Sequence, residues 1–94
     1  MAVFIVTAGS THNAGQVETA IKSAFSEQDI MPIGQLAWLV NDENNTNPIS
    51  VTEKLGVLDA ENAGNIGTYL VNVFNNYYGF HSNSVWDWLR ARGL

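Results

Sequence analysis

The sequence predicts an α+β fold built on one four-stranded antiparallel sheet, and three observations carry that prediction. Two runs without a charge, AVFIVT at 2–7 and LAWLV at 36–40, place β-branched and aromatic side chains at both parities, the mark of strands buried on both faces. Between them lies a stretch whose apolar residues recur at helical spacing. Pro32 interrupts the shorter run that precedes the second strand, and a proline within a sheet belongs on an edge.

Taken in order, Asn13 offers an N-cap, and Ala14, Val17, Ala20/Ile21 and Ala24/Phe25 form one face of a helix over about 14–27. Glu18 and Lys22 stand at i,i+4 on the other face in the favourable order. Gly34-Gln35 predicts a two-residue type II′ hairpin turn between the strand carrying Pro32 and the strand 36–40. NDENNTNP then reads as a polar loop. Asn47 as N-cap with Pro48 in the first turn starts a second helix, Ser50 with Glu53 being an alternative capping box. Ile49, Thr52, Leu55 and Val51 supply its apolar face, and Gly56 ends it. DAENAGNIG is a further loop, residues 68–74 a fourth strand, and residues 84–92 a closing helix with Val85, Trp88/Leu89 and Arg92 near one face. The order β-α-β-β-α-β with an extra C-terminal helix is the ferredoxin-like, split βαβ arrangement. Its sheet order, 4-1-3-2, puts the two most apolar strands in the middle and the proline at an edge.

At 94 residues the chain is one domain, with a core over about 2–75 and an aromatic C-terminal segment over 76–94. It is 46% hydrophobic and 14% charged, the composition of a packed globule. No window has the length of a membrane span, and no basic stretch precedes the first strand as in a signal peptide, so a cytoplasmic location is expected. The absence of cysteine excludes disulfides, thiolate metal sites and thiol nucleophiles. With a net charge of −5 and only Lys22, Lys54, Arg90 and Arg92 as fixed cations, the chain lacks the basic stripe of a nucleic-acid binder.

The loop TAGSTHNAG follows a strand and opens a helix, yet its glycines are misplaced for a phosphate loop and no Lys-Ser/Thr follows. It reads as a strand-to-helix connection in which Ser10, Thr11 and His12 could at most receive an anion. His12 and His81 lack partners at ligand spacing and read as solvated. Asp42 and Glu43 point to opposite sides of an extended chain, against a shared metal site. The segment FNNYYGFHSNSVWDWL is the most unusual stretch. Its aromatics complete the core, form an interface, or stack bases, the first two being compatible, with Tyr77, Tyr78, Phe80, Trp86 and Trp88 as the candidate interface contacts. Because neither face of the sheet is polar, the face without the two crossover helices must be covered; homodimerisation assisted by the aromatic tail is the expectation.

The layout resembles the small ferredoxin-like proteins of the CRISPR-associated endoribonuclease and adaptation-scaffold family, including its SinR-like outliers. MAVFIVT, LAWLV, the helix NPISVTEKLG and the tail ending VWDWL carry the resemblance. The nuclease members of that family end the first strand with an aspartate that holds a divalent metal across a dimer. Here Thr7-Ala8-Gly9 stands there, and Glu18 is the first carboxylate, so the resemblance implies a scaffold in place of a nuclease. The expected function is therefore that of a non-enzymatic homodimeric or assembly-forming interaction protein, without cofactor or metal. The alternatives are a degenerate nuclease or nucleic-acid scaffold, an acidic inhibitor of a nucleic-acid-binding protein, and a small-molecule-binding dimer.

Overall fold

A four-stranded antiparallel sheet forms the centre of the molecule, in the order β2-β3-β1-β4. The computed structural model describes residues 2–44, 47–56, 66–75 and 77–94. The elements are β1 (Ala2–Ala8), α1 (Ala14–Ala24), a single 3-10 turn (Glu27–Asp29), β2 (Ile30–Pro32), β3 (Ala37–Asp42), α2 (Pro48–Leu55), β4 (Tyr69–Val73) and α3 (Asn83–Ala91). Read from β4, the sheet order is the predicted 4-1-3-2. The loop expected at DAENAGNIG lies mostly outside the described residues.

Central β1 pairs with β3 (Phe4 opposite Val40) and with β4 (Phe4 opposite Val73). Alternation along the strands then sorts side chains into two cores. On one face Phe4, Val6, Trp38 and Val40 meet Val17 and Ile21 of α1 and Val51 and Leu55 of α2. On the other, Val3 and Leu39 meet Val85, Trp88 and Leu89 of α3. Burial of each such side chain is worth roughly 1.5–3 kcal/mol. The need to cover the second face, read from the two parities of β1 and β3, is thus met on its β3 side by the chain's own terminal helix and not by a second protomer. Its β4 side stays open: Thr7, Leu70 and Asn72 are exposed there and Ile5 is half-buried.

Several local expectations are corrected. Helix α1 stops at Ala24, three residues early, because Phe25 turns extended (φ −127°, ψ 151°) and buries its ring. Gly34-Gln35 is not a type II′ turn, since Gly34 lacks the positive φ that turn needs. The connection holds three residues instead, closed by Ile33 N–H to Ala37 O at 3.1 Å. Leu36 leaves the strand, packs against the first core and accepts the Ala8 N–H at 2.7 Å.

Strand β3 also runs on through Asn41 and Asp42, which the polar composition had placed in a loop. Pairing with Val3 and Ala2 carries both into the interior, where they are 4% and 3% exposed. Asp42 is tolerated there because Lys54 approaches its carboxylate to 2.7 Å and the Asn44 N–H donates to it at 3.1 Å. Asn41 donates to Asp29 Oδ1 at 3.3 Å. In α2 the cap is Asn47, whose Oδ1 accepts the Ser50 N–H at 3.0 Å, so the alternative box is not formed. Gly56 stops the helix in the left-handed region at φ 86°. Val51 faces the core, whereas Ile49, expected on the apolar face, is 64% exposed.

Candidate functional site

The loop after β1 is used for architecture. Asn13 precedes α1, as expected of a cap, but its side chain makes no capping bond. Its Oδ1 instead accepts from Ser10 N–H (3.1 Å) and Ser10 Oγ (3.2 Å), and its Nδ2 donates to Ile66 O (2.9 Å) and Thr68 O (2.8 Å). The same loop gives Gly9 N–H to Thr68 O at 2.8 Å. A Cβ at Gly9 would overlap the Thr68 side chain and stand 3.0 Å from its carbonyl oxygen. Of the three candidate anion contacts, Ser10 thus spends its amide and hydroxyl on Asn13, and His12 N–H turns to Ser10 Oγ at 3.2 Å. Thr11 is exposed.

The aromatic segment builds a second feature between β3 and α3. Phe74 stacks on Tyr77 with ring centroids 4.8 Å apart, and Tyr77 stacks on Trp86 at 5.9 Å. These rings, with Ile33, Leu39 and Leu89, line a groove of about 200 Å³. Tyr78 and Phe80 form its rim and are fully exposed. Polar contacts fix the helix beside it. His81 Nε2 donates to Ile33 O at 2.6 Å while its Nδ1 accepts the Ser82 N–H at 2.8 Å, the pattern of one neutral tautomer. Trp86 Nε1–H reaches His81 O at 3.2 Å. His81, expected to be merely solvated, therefore ties the start of α3 to the end of β2.

The far end of α3 is tied to the 3-10 turn. Trp88 Nε1–H donates to Gln28 O at 3.0 Å, and Arg92 Nη2 donates to the same carbonyl. The Arg92 guanidinium lies 4.0 Å over the Trp88 ring and 3.9 Å from Asp29 Oδ1. The five candidate interface aromatics are thereby divided. Trp88 is turned into the second core, Tyr77 and Trp86 are half-buried in the stack, and Tyr78 and Phe80 project into solvent.

Each of the four fixed cations has an acidic partner within the chain. Lys22 pairs with Glu18 at 3.0 Å, Lys54 with Asp42 at 2.7 Å, Arg90 with Asp87 at 3.3 Å and Arg92 with Asp29 at 3.9 Å. Among the described residues no three acidic or histidine side chains gather into a group that would hold a metal ion. No described helix is long and apolar enough to cross a membrane. The features that residue patterns missed, namely the Asn13 tie, buried Asn41 and Asp42, and the two clamps of α3, all join residues far apart in the chain. Only for Asn41-Asp42 was there a local signal, their direct continuation of an uncharged strand.

No protein-family model matches the chain, and no curated protein is significantly similar to it.

Proposed function

We propose that this chain is a non-enzymatic, ferredoxin-like interaction protein that works as a homodimer or as a subunit of a larger assembly. The observation that carries the reading is the pairing of an apolar groove with two fully exposed aromatic rings, Tyr78 and Phe80, on its rim. Aromatic side chains of this kind anchor protein interfaces. At about 200 Å³ the groove is smaller than the roughly 300–1,000 Å³ of small-molecule sites, and it suits one inserted apolar side chain of a partner. The ion pairing of all four Lys and Arg side chains supports a protein partner over nucleic acid, whose phosphates need available cations. From the resemblance to the CRISPR-associated family the reading keeps only the scaffold role, since β1 ends in Thr7-Ala8 without a carboxylate.

Light scattering at micromolar concentration tests it. A mass of two protomers or more is expected, and a single-protomer mass overturns the reading. A Tyr78→Ser/Phe80→Ser variant is expected to weaken assembly beyond two copies while leaving the far-ultraviolet circular dichroism of the fold unchanged, since both side chains are fully exposed.

A further inference from the structure

The two edges of the sheet differ in what they offer a further strand. In the β2–β3 pair, Ile33 and Ala37 are hydrogen-bonded opposites, and the ladder alternates, so Pro32 and Ile30 face outward. Pro32 has no N–H, and Ile30 gives its own to Glu27 O. That edge presents no free donor and is three residues long. It is closed in the manner of protected natural edges.

The other edge is unpaired among the described residues. Gly9 N–H bonds Thr68 O and Phe74 N–H bonds Val3 O, both at 2.8 Å. With the register Ala8 opposite Tyr69 through Phe4 opposite Val73, alternation turns residues 68, 70, 72 and 74 toward β1. The N–H and C=O groups of Tyr69, Val71 and Val73 therefore point out of the sheet, and no described strand lies beside them. The strand YLVNV has no charge and no proline, and two of its side chains, Leu70 at 71% and Val73 at 46%, are among the exposed large apolar groups. The open part of the second face, at Thr7, Leu70 and Asn72, adjoins it.

We infer that β4 is the homodimer interface, pairing antiparallel with β4 of a second copy about a two-fold axis at Val71. The inference rests on the homodimer reading above and assigns the contact between two copies to β4, which leaves the groove rimmed by Tyr78 and Phe80 to contacts beyond the pair. The strand is complementary to itself in this register: Tyr69 faces Val73 of the copy, Val71 faces Val71, and Val73 faces Tyr69. All three pairs present outward groups, so each exchanges two N–H···O=C bonds. Leu70 falls opposite Asn72 on the open face, with no like charges opposed. An isologous contact of this kind closes at two copies and turns two four-stranded sheets into one of eight, with the donor-free β2 edges at its ends.

Amide hydrogen exchange combined with light scattering tests the pairing. In the dimer, the amides of Tyr69, Val71 and Val73 are expected to exchange as slowly as those of Leu70, Asn72 and Phe74. Leu70→Lys with Asn72→Lys places lysines opposite each other at two points, on side chains exposed in the single chain. That variant is expected to halve the mass, to speed exchange at residues 69, 71 and 73 by tenfold or more, and to keep protection at 70, 72 and 74. Retained protection at those three residues shows that the fold is intact. A wild-type dimer with rapid exchange at 69, 71 and 73, or a variant that stays dimeric, overturns this interface and leaves the homodimer reading standing. A monomeric wild type overturns both, and slow exchange at the three amides with a foreign strand bound, but not without it, assigns the edge to another partner.

Discussion

The two faces of one sheet are closed in different ways. The helices α1 and α2 cross between strands, so chain connection brings them to the first face, where an apolar cluster packs beside the Lys54–Asp42 ion pair. Helix α3 follows β4, and among the described residues no strand comes after it to hold it. Its apolar stripe is short, with Val85, Trp88 and Leu89 as the buried residues, and directional bonds at both ends supply the placement that connectivity does not. His81 reaches Ile33 O at one end, and Trp88 and Arg92 converge on Gln28 O at the other. The difference teaches that a terminal helix with a small contact can be positioned uniquely when its polar atoms meet backbone carbonyls of a neighbouring turn.

Substitutions in the first core are expected to have the largest effect. Phe4→Ala, at a fully buried position shared by both neighbouring strands, should cost about 3–5 kcal/mol in chemical denaturation and lower protection throughout the sheet. Leu89→Ala, 1% exposed in the second core, should cost about 2–5 kcal/mol. The comparison is sharpened by where it acts: exchange protection should fall first in α3, before the β1–β3 ladder opens. Equal loss at both places would show that the two faces fold as one unit.

A smaller change tests the polar clamp itself. Trp88→Phe keeps an aromatic ring but removes the Nε1–H bond to Gln28 O, and should cost about 1 kcal/mol. Breaking the ion pair on the first face with Lys54→Met should cost about 1.5–3 kcal/mol, because the Asp42 carboxylate stays 3% exposed with one charged partner fewer. The smallest effect is expected at Tyr69, whose buried hydroxyl finds no partner among the described residues. Tyr69→Phe should leave neutral-pH stability unchanged or slightly raised. Burial pushes this phenol up from 10.0 to about 12, so the unfolded chain ionises first. Stability should hold below about pH 10 and decline from there to about pH 12, and a thermal melt of Tyr69→Phe should lack that part of the decline.

The candidate surface was legible only in part. Residues 74–89 stood out by composition, since so many aromatics are unusual in so short a stretch, but letters do not separate Trp88 from Phe80. Both are large apolar rings near the C-terminus; one is buried against the sheet and the other is fully exposed. Helical period puts Val85, Trp88 and Leu89 near one face without telling whether that face meets the sheet or a partner, and the irregular segment holding Tyr78 and Phe80 has no period from which to read a face. The hairpin turn shows the same limit. Gly34-Gln35 satisfies a local turn rule, yet the contact of Leu36 with the first core selects a three-residue connection and shifts the register by one.

By itself the sequence determined the α+β class, the sheet order and the starts of α1 and α2, because helical period and proline act within a few positions of chain. It also determined that both faces of the sheet had to be covered, since β1 and β3 are apolar at both parities. Tertiary structure alone decided that α3 covers the β3 side of the second face, that Asn41 and Asp42 are carried into the interior, and that β2 is closed while β4 is unpaired among the described residues. Each of these depends on which distant backbone carbonyl, carboxylate or strand meets a residue, and such pairings exist only once the chain has closed on itself.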